Sequence, residues 1–220
     1  MTVAQRAPLT QLRELASAYA AHRPVRSVAV VGNAPLEPSD ERADTIDGAD
    51  LVIRMNSLVR DRADQPRCQG RRTDVVLFSR LVIATRDLFD HYRDRLYLML
   101  EPMRMYGRPE VWPRSWPADL GHVVVRNDEV MVPINEEIGL AWREEQLAPT
   151  TGTVGAWLAV NLFPEADVML TGLSYLEDPE QLSWVHQFGD SVNVGPEHRI
   201  AAEAAMINGW IARGRARVLR

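Results

Sequence analysis

The chain contains no lysine: all 25 of its basic residues are arginine. Biased codon usage is the plain explanation, but the chemical consequence is independent of cause. A Schiff base to lysine, a P-loop lysine and the strand lysine of protein kinases are all excluded. Cysteine is nearly absent too. Cys68 stands alone among 220 residues, so no intrachain disulfide can form, which is compatible with a reducing compartment. No stretch approaches the ~18 consecutive apolar residues of a membrane span. The N-terminal "MTVAQRAPLTQLRELASAYAAHR" lacks the apolar core of a signal peptide and reads as a short amphipathic helix. A soluble, cytoplasmic protein is expected. There is no excess of positive charge either: the formal net charge is -5 and the sequence pI about 5.6, which disfavours a nucleic-acid partner. Any anionic ligand must be met by local features rather than by a global field.

What is present is an ordinary globular composition, 46% hydrophobic and 25% charged, at a length that suits one domain. Short apolar runs alternate with helical patterns. The runs "SVAVVG", "ADLVIRMN", "DVVLFSR", "DRLYLMLE", "HVVVRN", "EADVMLTGLSY" and "RARVLR" read as strands. Helices are expected from Leu9 to His22, over "TRDLFDHYR", across "INEEIGLAWREE", after "APTT", and over "PEHRIAAEAAMINGWIARG". "SWVHQFGDSVNVGP" reads as an irregular loop, and the proline-rich stretch Pro102 to Pro117 as an excursion from the sheet. The pattern predicts an α/β fold: a Rossmann-like, mostly parallel sheet with helices on both faces, in one domain spanning residues 1–220.

Ligands of open α/β sheets bind outside the carboxyl ends of the strands. In "VAVVGNAPLE" a buried strand runs into Gly32 and Asn33 at that position. Gly32 permits close approach and Asn33 offers donors and an acceptor. A dinucleotide site would need G-x-G-x-x-G opening a helix, and one glycine with two prolines does not supply it. Three more segments are expected at the same edge: Arg54-Met55-Asn56, Thr150-Thr151-Gly152 and Thr171-Gly172. Thr151-Gly152 at a helix start is also an anion site, since the first turn exposes free N–H groups. Taken singly, each is an ordinary turn or cap. Four in register point to a ligand site.

Histidine titrates near neutrality and so serves as acid or base. His186 lies in "SWVHQFGD", where a satisfied loop histidine is an equal reading, and His198 opens the last helix in "HRIAAE". Glu203, five residues on, falls on a different helical face and is expected to anchor the helix start or a neighbouring loop. His22, His91 and His122 read as surface or core residues. No D-x-D pair follows a strand, and no cluster resembles a metal site. A nucleoside diphosphate leaving group usually brings a divalent ion. A monophosphate can be met by one histidinium and helix N–H groups.

The segments "AVVGN…ID.ADLVIRMN…GRRTDV" resemble the large motif of the animal-type sialyltransferase family. "PTTGTVGAWLAVNLFPEADVMLTG" is similar to its small motif, "WVHQF" to its third motif, and "HRIAAE" to its H-x4-E motif. They occur in family order and span Ser27 to Glu203. The resemblance implies a fold of the GT-A-like variant type and an inverting transferase that uses a CMP-activated sugar acid as donor substrate, with no cofactor and no metal. By motif position it implies that Asn33 and Asn56 contact the CMP part, with Gly32, Thr150, Thr151, Gly152 and Gly172 around it. His198 would deprotonate a hydroxyl of the acceptor, and His186 would stabilise the departing phosphate.

The family's Golgi members carry a membrane anchor and a disulfide joining the large and small motifs. Here no anchor is expected, Val28 stands where the first cysteine falls, and Cys68 has no partner. A short, soluble, bacterial-type relative is implied, with Pro102 to Pro117 as an acceptor lid. Two other readings share the pocket. One is a non-catalytic protein that binds CMP or another nucleotide. The other is a transferase or hydrolase acting on another CMP-linked ulosonic acid such as CMP-Kdo.

Overall fold

The structure, a computed structural model, describes residues 7–79, 83–100 and 116–220. Seven strands form one sheet: β1 (Ser27–Val31), β2 (Leu51–Met55), β3 (Val75–Phe78), β4 (Leu96–Leu100), β5 (Val123–Val125), β6 (Asp167–Thr171) and β9 (Arg217–Val218). Their order is β5-β4-β3-β2-β1-β6-β9, and every pairing is parallel. Strands β2, β3 and β4 are buried at every residue. That is why they read as unbroken apolar runs rather than as alternating patterns.

From β1 the chain steps outward strand by strand to β5, then returns to lay β6 on the other side of β1. This reversal leaves a crevice at the carboxyl ends of β1 and β6, the place where such sheets bind ligands.

Four helices cover one face: α1 (Ala7–Ala18), α3 (Met131–Ile138), α4 (Thr151–Leu162) and α5 (Ile200–Ala212). Helix α4 lies innermost and is apolar almost all round, as a helix enclosed by sheet and helices must be. Gly155 lets it sit close to the sheet, since a Cβ there would come within 3.2 Å of Leu77 and 3.3 Å of Val30. The other face carries α2 (Asp40–Gly48), whose Ile46 packs with Ala29, Val31 and Val52. Beside it, a second cluster joins Phe78, Leu88, Tyr97 and Met99.

Four elements differ from the sequence reading. Helix α2 is absent from that reading because only Ala43 and Ile46 form its apolar stripe. Its cap was legible, however: the Ser39 hydroxyl accepts from Arg42 N at 3.2 Å, and Asp40 and Glu41 open the first turn. The expected helix over "TRDLFDHYR" is a series of turns with one 3-10 turn at Tyr92–Asp94. Its polar groups bond across the fold instead of along a helix: Asp87 accepts from Arg60 N, and Arg95 donates to the Asp87 carbonyl. The left-handed His91 (φ 51) also interrupts any helix there. The helix across "INEEIGLAWREE" stops at Gly139, which takes φ 78 and donates to the Asn135 carbonyl at 3.1 Å in a left-handed cap. Finally, "SWVHQFGDSVNVGP" is no irregular loop. It contains an antiparallel hairpin of β7 (Ser183–Val185) and β8 (Ser191–Asn193), closed by five residues with Gly189 at φ 94.

The proposed lid from Pro102 onward lies outside the described residues as far as Ser115. Trp116, at its end, packs on Phe78 with ring centroids 5.1 Å apart. No helix among the described residues is long and apolar enough to cross a membrane.

Candidate functional site

The crevice between β1 and β6 opens into a cavity of about 250 Å³. Its floor is set by two glycines. Gly32 N donates to the Thr171 carbonyl at 2.8 Å, and Ala34 N donates to the Gly172 carbonyl at 3.1 Å. The two backbones are too close for any side chain between them, and Gly172 takes φ +66.

Two asparagines form one wall. Asn33 Nδ2 donates to the Met55 carbonyl at 2.9 Å, which ties the end of β1 to the end of β2. Asn56 follows β2 in the left-handed region (φ 48), a conformation asparagine tolerates better than most residues. Its Nδ2 donates to Thr151 Oγ1 at 3.1 Å, while its Oδ1 is buried and has no partner. A buried acceptor without a donor, beside a cavity, is an opening for a ligand N–H or O–H.

The start of α4 lines the cavity beside Asn56. Thr150 caps the helix, its hydroxyl accepting from Thr153 N at 3.2 Å, and Thr150, Thr151 and Gly152 all line the cavity. Beneath the cap lies Glu203, 1% exposed, whose Oε2 accepts from Thr150 N at 2.9 Å and Thr150 Oγ1 at 2.8 Å. Glu203 thus anchors the α4 entry and does not orient His198. Thr153 in turn shares a hydrogen bond with Tyr175 OH at 2.8 Å. Burial, and then the Glu203 carboxylate, push the Tyr175 phenol upward, so it stays neutral.

Both singled-out histidines line the same cavity. His198 Nδ1 is 2.8 Å from the Ala148 carbonyl. A carbonyl can only accept, so Nδ1 carries a proton, and in the neutral ring the lone pair is on Nε2. His186 sits at the end of β7, its Nδ1 hydrogen-bonded to the Asp190 carboxylate and its ring stacked on Phe188 with centroids 5.1 Å apart. The hairpin is fastened to the end of β1: Gln187 N donates to the Asn33 carbonyl at 2.7 Å, and Gln187 Oε1 accepts from Leu36 N at 3.0 Å.

All nine residues singled out from the sequence therefore meet at one cavity. Arg54 does not join them. Fully buried on the α2 side, it donates to the carbonyls of Gln69, Gly70 and Arg72, and burial lowers its guanidinium to about 10, so it remains a cation. Thr171 contributes its carbonyl to the floor but does not line the cavity. His22 and His91 are exposed elsewhere, beside Asp50 and Asp90. Met55, within the large motif, and Trp184 and Val185, within the third, also line the cavity, as do Tyr175 and Val192, which no motif marked. Asp190 went unnoticed in the sequence as well. Its signal was an acidic residue four positions after His186, across a glycine turn. Among the described residues, no three His, Cys, Asp or Glu side chains come together as a metal site would require.

No protein-family model matches the chain, and no curated protein matches it significantly. Solved structures do. The crystal structure of a mammalian sialyltransferase superposes with a TM-score of 0.62 at 14% identity, over 88% of this chain and 68% of that one. A mammalian sialyltransferase in complex with Gal-β-1-3GalNAc-ortho-nitrophenol gives 0.59 at 13% identity, over 88% and 69%. At such identities the likeness defines the fold: this chain has a sialyltransferase-like α/β architecture.

Proposed function

We propose that this protein is a metal-independent, inverting glycosyltransferase that takes its sugar from a CMP-activated sugar acid and passes it to a hydroxyl-bearing acceptor. One observation carries the reading. A cavity at the sheet's switch point combines a helix N-terminus, an unpartnered asparagine oxygen and two histidines whose Nδ1 atoms are both engaged. The helix start and a histidine suit a monophosphate leaving group. Asn56 Oδ1 suits a donor on the nucleoside. His198 Nε2 suits a base.

In this reaction the acceptor oxygen attacks the anomeric carbon from the side opposite CMP. Its bond to that carbon forms as the bond from the carbon to the phosphate oxygen breaks. His198 Nε2 takes the hydroxyl proton, and CMP leaves with the negative charge. The sugar passes through an oxocarbenium-like state, so the protein's work is positioning the acceptor and stabilising the departing anion. The likeness to sialyltransferase structures supports sialic acid as the first sugar to try, and the disaccharide glycoside bound to one of them as the first acceptor.

The test is to incubate the protein with CMP-sialic acid and a panel of glycosides that includes Gal-β-1-3GalNAc-ortho-nitrophenol, following CMP release and product mass. Transfer is expected with and without EDTA. His198→Ala should lower the rate by roughly 10²–10⁴-fold while CMP still binds, because a general base touches the acceptor and not the leaving group. Wild-type turnover should also fall at low pH, as protonation removes the base. Equal turnover by His198→Ala between about pH 5 and 8 would contradict the base assignment. CMP binding without turnover on any acceptor would favour the non-catalytic reading.

A further inference from the structure

The two histidines of the cavity differ in one respect: what their Nδ1 atoms touch. His198 meets a neutral carbonyl, that of Ala148, whereas His186 meets the Asp190 carboxylate. A neutral acceptor orients the ring and places a proton on Nδ1 but brings no charge to it. An anionic acceptor places the same proton and also forms an ion pair with an imidazolium. Contacts hold the pairing on both sides. His186 N donates to the Asp190 carbonyl at 3.0 Å, Gly189 N donates to the His186 carbonyl at 2.8 Å, and Phe188 stacks on the imidazole. Asp190 is therefore held at the ring by the turn itself.

The cavity's charge inventory gives this difference a purpose. Among the described residues that line it there is no arginine, and the chain has no lysine. Of the described residues that line it, only His186 and His198 have side chains able to carry positive charge. Among the acidic side chains nearby are Asp190 at the His186 ring and Glu203 beneath Thr150, whose Oε2 is taken by the α4 cap while its buried Oε1 has no partner. The N-terminus of α4 adds a partial positive charge at the cavity. A site that needs one base and one cation must divide those roles between its two histidines.

We propose that Asp190 is a positioning residue that makes the division: it holds His186 with Nδ1 protonated and as the cavity's cation, leaving Nε2–H to meet the anionic group of the ligand. Naming that group a CMP phosphate rests on the transferase reading above. The pairing itself does not.

Two measurements on the full chain decide it. The first is the imidazole ¹⁵N spectrum of His186 in the ligand-free protein. Wild type is expected to show both ring nitrogens protonated, and Asp190→Ala to lose that state while the amide spectrum of the β7–β8 hairpin is retained. The second is the ratio of CMP to cytidine affinity by calorimetry, which isolates the phosphate. Asp190→Asn keeps an acceptor but removes the charge. It should lower the ratio roughly ten- to a hundredfold with cytidine affinity unchanged. His186→Ala should lower it equally, and the double variant no further. Asp190→Glu should restore part of the ratio. Either ring nitrogen unprotonated in wild type, or an unchanged ratio in Asp190→Asn, overturns the proposal. If neither cytidine nor CMP binds wild type, the transferase reading fails, and the ring spectra alone decide whether Asp190 sets the state of His186.

Discussion

A Cβ placed on Gly32 would lie 2.1 Å from the carbonyl oxygen of Gly172. The contact is backbone against backbone, between the ends of adjacent strands, so no side-chain movement relieves it. The reverse substitution is no easier, because Gly172 holds φ +66 and its Cβ would meet Gly32 O at 2.8 Å. Gly32→Ala is therefore expected to pry β1 from β6 where the cavity floor lies. It should lower unfolding free energy by about 2 kcal/mol, read by urea denaturation. A variant as stable as the parent would mean that the strand ends are spaced more widely than described here.

The buried carboxylate of Glu203 leads to a second prediction, with a built-in control. Glu203→Ala leaves Thr150 N without its acceptor and should cost about 1–3 kcal/mol. Glu203→Gln keeps an oxygen for Thr150 and should retain most of that stability. If the two variants lost the same amount, the bond to Thr150 would not be what holds the start of α4.

The asparagines separate binding from folding. Asn33→Ala should weaken CMP by about 1.5–3 kcal/mol, as loss of a hydrogen bond to a charged ligand does. Asn56 needs a different substitution, because alanine is strained at φ 48. Asn56→Gly accepts that backbone and removes the side chain, including the unpartnered Oδ1. Its thermal midpoint should stay near that of the parent while CMP affinity falls by a similar amount. Parental CMP affinity in both variants would reduce these residues to turn formers.

Much of this architecture was legible because fully buried parallel strands leave continuous apolar runs, and because strand ends carry small or amide residues where ligands approach. "SVAVV" with Gly32-Asn33, and "DVMLT" with Gly172, placed the cavity before any coordinates. Other parts were hidden for stated reasons. Helix α2 has a narrow apolar stripe, so its cap was its main signal. The segment after Arg86 has helical spacing, but tertiary partners claim its polar groups. The β7–β8 hairpin has strands of three residues, too short for alternation to stand out. Its closing turn carries the Asp190 carboxylate to His186, a juxtaposition made by the turn geometry and not by helical or strand periodicity.

The central claim is that this cavity recognises a cytidine monophosphate without a metal, and calorimetry tests it most directly. CMP, CDP, UMP, UDP and GDP are titrated into the protein with EDTA, and again with manganese. The account predicts that CMP binds best and that neither chelator nor metal changes its affinity. Tight binding of UDP that appears only with manganese, with CMP no better than UMP, would contradict it.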